Sequence, residues 1–124
     1  MVIRIASAVL TLAGLLALIS GLLFWTGTAL NLMALHMLLG FLAVGALCVV
    51  GVAQAFAPRG SWVIAACALI VGAVMIVIGM MQSSLMVDEF HWVIQLIHLA
   101  LGDLVTADLG YGRAAHAAET GHAG

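Results

Sequence analysis

Residues 30–56 read LNLMALHMLLGFLAVGALCVVGVAQAF, and residues 61–82 read SWVIAACALIVGAVMIVIGMMQ. Between them lies only the segment APRG, residues 57–60, and Arg59 is the single charged residue in all three segments. A helix needs about 20 apolar residues to cross the hydrocarbon core of a bilayer. The two runs therefore predict a pair of transmembrane helices joined by a tight turn, with Ser61 as the N-cap of the second.

Two further runs flank this pair. Residues 5–25 form a first apolar run, and residues 88–109 form a fourth, which begins with two acidic residues that suit a helix N-terminus. Residues 111–124 are small and polar, which predicts a disordered cytoplasmic tail. The expected fold is all-α: an integral membrane four-helix bundle over residues 1–110, built from two helical hairpins.

The composition requires lipid as the solvent. Hydrophobic residues make up 66% of the chain and charged residues only 6%, and the mean hydropathy is +1.32. A soluble domain has about 25% charged residues, and so short a chain cannot bury all its apolar side chains in its own core. The net charge of −2 excludes the basic face that a nucleic-acid partner would require.

The arginines predict the orientation. With four spans, Arg4, Arg59 and Arg113 all lie on one side of the membrane, and the opposite loops carry no Lys or Arg. The positive-inside rule then places both termini in the cytoplasm. We expect a multi-pass protein of a bacterial-type inner (plasma) membrane, in which the second and fourth spans both begin at the outer face and run in parallel.

Three histidines lie within predicted spans: His36 in the second, and His91 and His98 in the fourth. Ionisable side chains inside a membrane are costly and indicate function, although a histidine can also simply hydrogen-bond between helices. Given their positions along the two spans, His36 and His98 differ in depth by about 6 Å at 1.5 Å per residue. Parallel helices with histidines at matched depth can ligate one haem iron from its two faces.

Small residues accompany these histidines. Gly40 and Gly102 each follow a histidine by four residues and therefore share its helix face, where they would open a hollow for a porphyrin edge. The first and third spans carry small residues at heptad spacing, which allow close helix packing or leave space for a cofactor: Ser7, Gly14 and Gly21 in the first, and Ala65, Gly72 and Gly79 in the third. Each half thus pairs a small-residue helix with a His-x-x-x-Gly helix, a weak internal repeat whose pseudo-two-fold axis would follow the membrane normal.

This pattern resembles the small four-helix b-type membrane cytochromes, and in particular one half of a haem A synthase-like protein. The resemblance covers about residues 5–110. It implies that His36 and His98 are the axial ligands of one haem b, towards the outer face. The haem A synthase-like pattern has an arginine directly after its second-helix histidine and an acid shortly before it. Here Met37 follows His36 and the second span contains no acid.

Two polar residues of the fourth span are secondary candidates. His91 lies one heptad before His98 and could hydrogen-bond a haem propionate or a quinone, relay protons, or rest at the wet interface. Gln95 lies between the two histidines and could support a ligand. The second span carries no further histidine to pair with His91, so two histidines of this chain can ligate one haem at most.

Three functions follow from these observations. The first is a cytochrome b for electron transport near the outer face, with quinone or a redox protein as partner. The second is a non-redox membrane subunit or assembly factor whose histidines only join helices. The third is a haem-modifying or quinone-dependent oxidoreductase. The sequence shows no catalytic motif, so enzyme activity stays open, as does homodimer formation.

Overall fold

The computed structural model describes residues 1–58, 60–82, 84 and 90–103, and all regular secondary structure within these residues is helical. The all-α fold class is therefore confirmed. The elements are α1 at Val2–Trp25, a short 3-10 helix at Leu30–Leu32 that leads into α2 at Met33–Ala55, and α3 at Trp62–Met81. Residues 91–103 are the described part of a fourth helix, α4.

Three helices are long and apolar enough to cross a membrane: Val2–Trp25, Leu30–Ala55 and Trp62–Met81. They lie close to the first three spans expected from the sequence. Both ends of the fourth expected span, 88–109, lie outside the described residues, as does the expected tail at 111–124.

The outward surfaces of these helices are apolar. Large side chains such as Leu12, Leu38 and Ile70 are more than half exposed. Water-soluble monomers rarely expose continuous apolar patches of this kind. The surface is consistent with a membrane protein whose helices face lipid.

The interior is made mostly of small side chains. Leu10 is the only large one that is fully buried among the described residues. Small residues let helix backbones approach closely, which is the main source of packing energy between membrane helices. The buried positions of the three long helices are Ala6, Ser7, Leu10, Ala13 and Ser20 in α1, Ala46, Val50, Gly51 and Ala55 in α2, and Ala65, Ala68 and Gly72 in α3.

Helices α2 and α3 are closest where Gly51 meets Ala68. A Cβ atom added to Gly51 would lie 2.5 Å from the Cβ of Ala68, which no real side chain tolerates. One to two turns further along, a Cβ on Gly72 would lie 3.0 Å from Cγ1 of Val44. The two helices are antiparallel, so this register carries the start of α2 to the level of the end of α3.

The turn between α1 and α2 is held by its threonines. The hydroxyls of Thr26 and Thr28 both donate to the carbonyl of Leu23, over 2.7 and 2.9 Å. The backbone N–H of Thr28 donates to the same carbonyl over 3.0 Å, so the turn satisfies a group that the end of the helix leaves without an intrahelical partner. Gly27, with φ 73°, and Ala29, with φ 59°, adopt the left-handed backbone that turns the chain back.

The start of α3 has the N-cap residue expected from the sequence. Ser61 has an extended backbone, with φ −128° and ψ 122°, and its carbonyl accepts the N–H of Ala65 over 3.4 Å. Its side chain makes no capping hydrogen bond within the described part of the chain. Ser61 therefore marks the helix start through its backbone conformation rather than through its hydroxyl.

Candidate functional site

The structure brings His36 and His98 together. Their ring centroids are 6.4 Å apart and their ring planes are inclined by 56°. His36 lies in the first turn of α2 and His98 lies within α4. Both side chains are half-buried, so neither projects fully into lipid.

Each imidazole lies against a glycine of the preceding helix. A Cβ on Gly21 of α1 would lie 3.4 Å from Cε1 of His36, which is a normal van der Waals contact. A Cβ on Gly79 of α3 would lie 3.2 Å from Cε1 of His98, which is tighter than most real contacts. Both glycines belong to the small-residue stripes seen in the sequence. They provide flat backbone surfaces that set how close each ring comes to its neighbouring helix.

Two further residues of α1 contact His36. Ser20 Oγ lies 2.9 Å from Nδ1 of His36, and the same hydroxyl lies 2.9 Å from the carbonyl oxygen of Ala17. The ring of Phe24 meets that of His36 edge to face, with centroids 5.2 Å apart and an interplanar angle of 70°. The position of the His36 ring is therefore fixed on two sides.

Sequence reasoning did not single out Ser20 or Phe24. The available signal was that Ser20 is the only polar residue between Thr11 and Thr26 in a long apolar run. Phe24 follows it by four residues and so shares its face.

His98 is held differently. Its Nδ1 atom is buried and has no hydrogen-bond partner among the described residues. Burying a polar atom without a partner costs about 1–3 kcal/mol. The two imidazole rings are therefore held by different contacts. His36 is hydrogen-bonded to α1, whereas His98 packs against Gly79 of α3.

A Cβ on either of the glycines that follow the histidines would have few neighbours among the described residues. No heavy atom of the described residues lies within 4 Å of a Cβ placed on Gly40, and the one described neighbour of a Cβ on Gly102 is the terminal methyl of Met75, at 3.9 Å. The contacts to the imidazoles come instead from Gly21 and Gly79. Gly21 and Gly79 thus contact the imidazole rings, whereas Gly40 and Gly102 leave space beside them.

The secondary candidates lie on the same face of α4 as His98. His91 and Gln95 are both half-buried, as is Gly102. Residues at these intervals fall on one side of a helix. One face of α4 therefore carries three polar side chains, those of His91, Gln95 and His98.

The spacing of the two imidazoles can be compared with that of two ligands of one metal ion. A metal–nitrogen bond to imidazole is about 2.0–2.1 Å long, so two imidazoles on opposite sides of one metal ion have ring centroids about 6 Å apart. The observed 6.4 Å is close to that value. The described residues contain no group of three or more His, Cys, Asp or Glu that could hold a metal ion by themselves. Two imidazoles suit a metal whose other ligands come from a porphyrin.

The site lies at one end of the bundle, and each of the four helices in the described part of the chain contributes to it. Gly21 and Ser20 come from α1, His36 from α2, Gly79 from α3 and His98 from α4. Comparison of the chain with protein-family models, with curated proteins and with solved structures gives no match.

Proposed function

We propose that this chain is a single-haem b-type membrane cytochrome in which His36 and His98 hold the iron. The observation that carries the proposal is the 6.4 Å separation of the two imidazole centroids across helices α2 and α4. One-electron transfer is the chemistry that haem supplies when it is bound. Near the outer face of the membrane, quinone or a redox protein would be the exchanging partner.

The chain's own residues have distinct tasks in this proposal. The two histidines supply one nitrogen each, and Gly21 and Gly79 hold their rings against α1 and α3. Gly40 lies on the same face of α2 as His36 and keeps space open beside it. The apolar helices around the half-buried pair lower the local dielectric, which strengthens electrostatic interactions at the site.

The proposed orientation places this site towards the outer face. It combines the three arginines on one predicted side with the parallel course of the second and fourth spans. The weak repeat fits the same scheme, because His36 lies on Gly21 and His98 lies on Gly79.

Reporter fusions test this orientation. Fusions at Thr28 and at Ser84 should both report the exterior, because the loops that contain them carry no Lys or Arg. A fusion at Arg59 should report the cytoplasm and is the matched control. A cytoplasmic signal at Thr28 or Ser84 would contradict the proposed position of the histidines.

The absorbance spectrum tests the function itself. Full-length chain purified after haem-replete expression should show a Soret band and a sharp α band on reduction, because two imidazoles give six-coordinate iron. The pyridine haemochrome assay should give a stoichiometry of one haem or less per chain, since His36 and His98 are the one histidine pair in contact among the described residues. Colourless protein under these conditions would refute the cytochrome.

A second candidate function rests on the contact between Ser20 and His36. This hydrogen bond joins α1 to α2, and such bonds between membrane helices contribute about 0.6–2 kcal/mol to association. In a non-redox membrane subunit or assembly factor, the histidines would only form hydrogen bonds of this kind between helices. The two candidates differ in outcome, because loss of a helix-joining histidine lowers stability without any change of colour.

A further inference from the structure

We infer that Ser20 is a positioning residue that holds His36 as the Nδ1–H tautomer and thereby directs its Nε2 lone pair away from α1. That this lone pair binds iron rests on the proposed function. The tautomer and its dependence on Ser20 rest on the described contacts alone.

The tautomer follows from counting hydrogens. The Ser20 hydroxyl has one hydrogen, and Oγ lies 2.9 Å from each of two groups, the carbonyl oxygen of Ala17 and Nδ1 of His36. A carbonyl can only accept, so the hydroxyl satisfies both contacts by donating to Ala17 and accepting from Nδ1. In the neutral ring Nδ1 then carries the hydrogen, and Nε2 is left with its lone pair.

This chain of hydrogen bonds is the arrangement that suits a metal ligand. A metal-bound histidine usually donates its other ring N–H to an oxygen, which fixes the tautomer and makes the ligating nitrogen more basic. Here the acceptor is a buried serine whose own hydroxyl is anchored to the turn of α1 below it. His98 differs, since its Nδ1 has no partner within the described residues. His36 is therefore the oriented ligand of the pair.

Ser7 provides a matched control for Ser20. Both serines lie in α1 and both are 7% exposed, but Ser7 is about three and a half turns from Ser20 and away from the histidines. Ser20→Ala removes the hydroxyl that accepts from Nδ1–H, and Ser7→Ala removes a hydroxyl from another buried position of α1. Ser20→Thr keeps the hydroxyl.

The first measurement is made on the full-length chain without haem, in lipid nanodiscs. Nitrogen NMR of ¹⁵N-histidine-labelled protein, with the His36 signals assigned by loss in His36→Ala, should show the Nδ1–H tautomer in the wild type, in Ser20→Thr and in Ser7→Ala. Ser20→Ala should shift the ring towards a mixture of tautomers. An Nε2–H ring in the wild type, or an unchanged ring in Ser20→Ala, would overturn the inference.

The second measurement uses the haem-loaded chain. Ser20→Ala should weaken haem affinity by about 10–100-fold, the usual effect of removing such a partner, and should raise the reduction potential because the ligand becomes less basic. Ser20→Thr should restore both quantities, and Ser7→Ala should leave them unchanged. Equal values in Ser20→Ala and wild type would overturn the role towards iron. A colourless wild type would refute the proposed function, while the NMR result would still decide the tautomer.

Discussion

Replacing His36 or His98 by alanine should strip haem from the protein. Each substitution removes one of the two imidazoles whose centroids lie 6.4 Å apart, and leaves one protein ligand to hold the cofactor. Loss of an outer-shell partner alone commonly costs 10–100-fold in metal affinity, so we expect a fall of more than about 10-fold in the haem-to-protein ratio. The measurement is the reduced α band of purified protein, normalised to protein concentration.

His91→Ala is the control for these two variants. His91 lies on the same face of α4 as His98 and is also half-buried, but the second span carries no further histidine to pair with it. The spectrum of His91→Ala should therefore match that of the wild type. If His91→Ala lost haem while His98→Ala retained it, His91 would be the ligand on the fourth helix.

The stability of the haem-free protein should change far less when His36 or His98 is replaced. His36→Ala breaks one hydrogen bond between helices, to Ser20, which is worth about 0.6–2 kcal/mol in a membrane protein. Retention of the fold, judged by helical circular dichroism in the absence of haem, would show that the loss of colour comes from the missing ligand.

Gly40→Leu should also expel haem, by occupying the space that the cofactor requires. Gly40 is one turn after His36 on the same face, and a Cβ placed there meets no heavy atom of the described residues within 4 Å. The Cβ of the new side chain therefore meets no described atom, and thermal unfolding of the unliganded variant checks that its stability is retained. Haem titration of the purified chain, monitored by the Soret band, should show that most of the binding is lost.

Two other glycines of α2 complete this experiment. A Cβ on Gly45 also has no heavy atom within 4 Å in the part of the chain that the structure describes. Gly45 lies nine residues, or about two and a half turns, after His36 and therefore faces the opposite way. Gly45→Leu should bind haem normally. Gly51→Leu should instead destabilise the bundle, by about 1–3 kcal/mol or more, because the added side chain overpacks the contact with Ala68. Equal haem binding by Gly40→Leu and Gly45→Leu would refute the predicted position of the cofactor.

The fold class could be predicted from the sequence because apolar length and sparse charge alone specify membrane helices. The matched depths of His36 and His98 were also calculable, since the rise of a helix is constant. The rotation of each helix about its own axis could not be calculated from the sequence. Contacts such as those of Ser20 and Phe24 with His36 depend on the crossing of α1 and α2, and many rotations are compatible with one apolar run. For the same reason Gly40 and Gly102 were associated with the histidines, whereas the structure places Gly21 and Gly79 against the rings.

The interior of small side chains reverses the usual relation between residue size and mutational sensitivity. In a water-soluble domain, truncating a large buried residue is the damaging change, because a cavity is left behind. Here residues such as Leu12 and Ile70 face outward, where lipid tails replace lost methyl groups at little cost. The destabilising substitutions should instead be those that add atoms at small buried positions between the helices, such as Ser7, Gly51 and Ala65. A single extra methyl group at Gly51 would do more harm than the loss of several from Leu12.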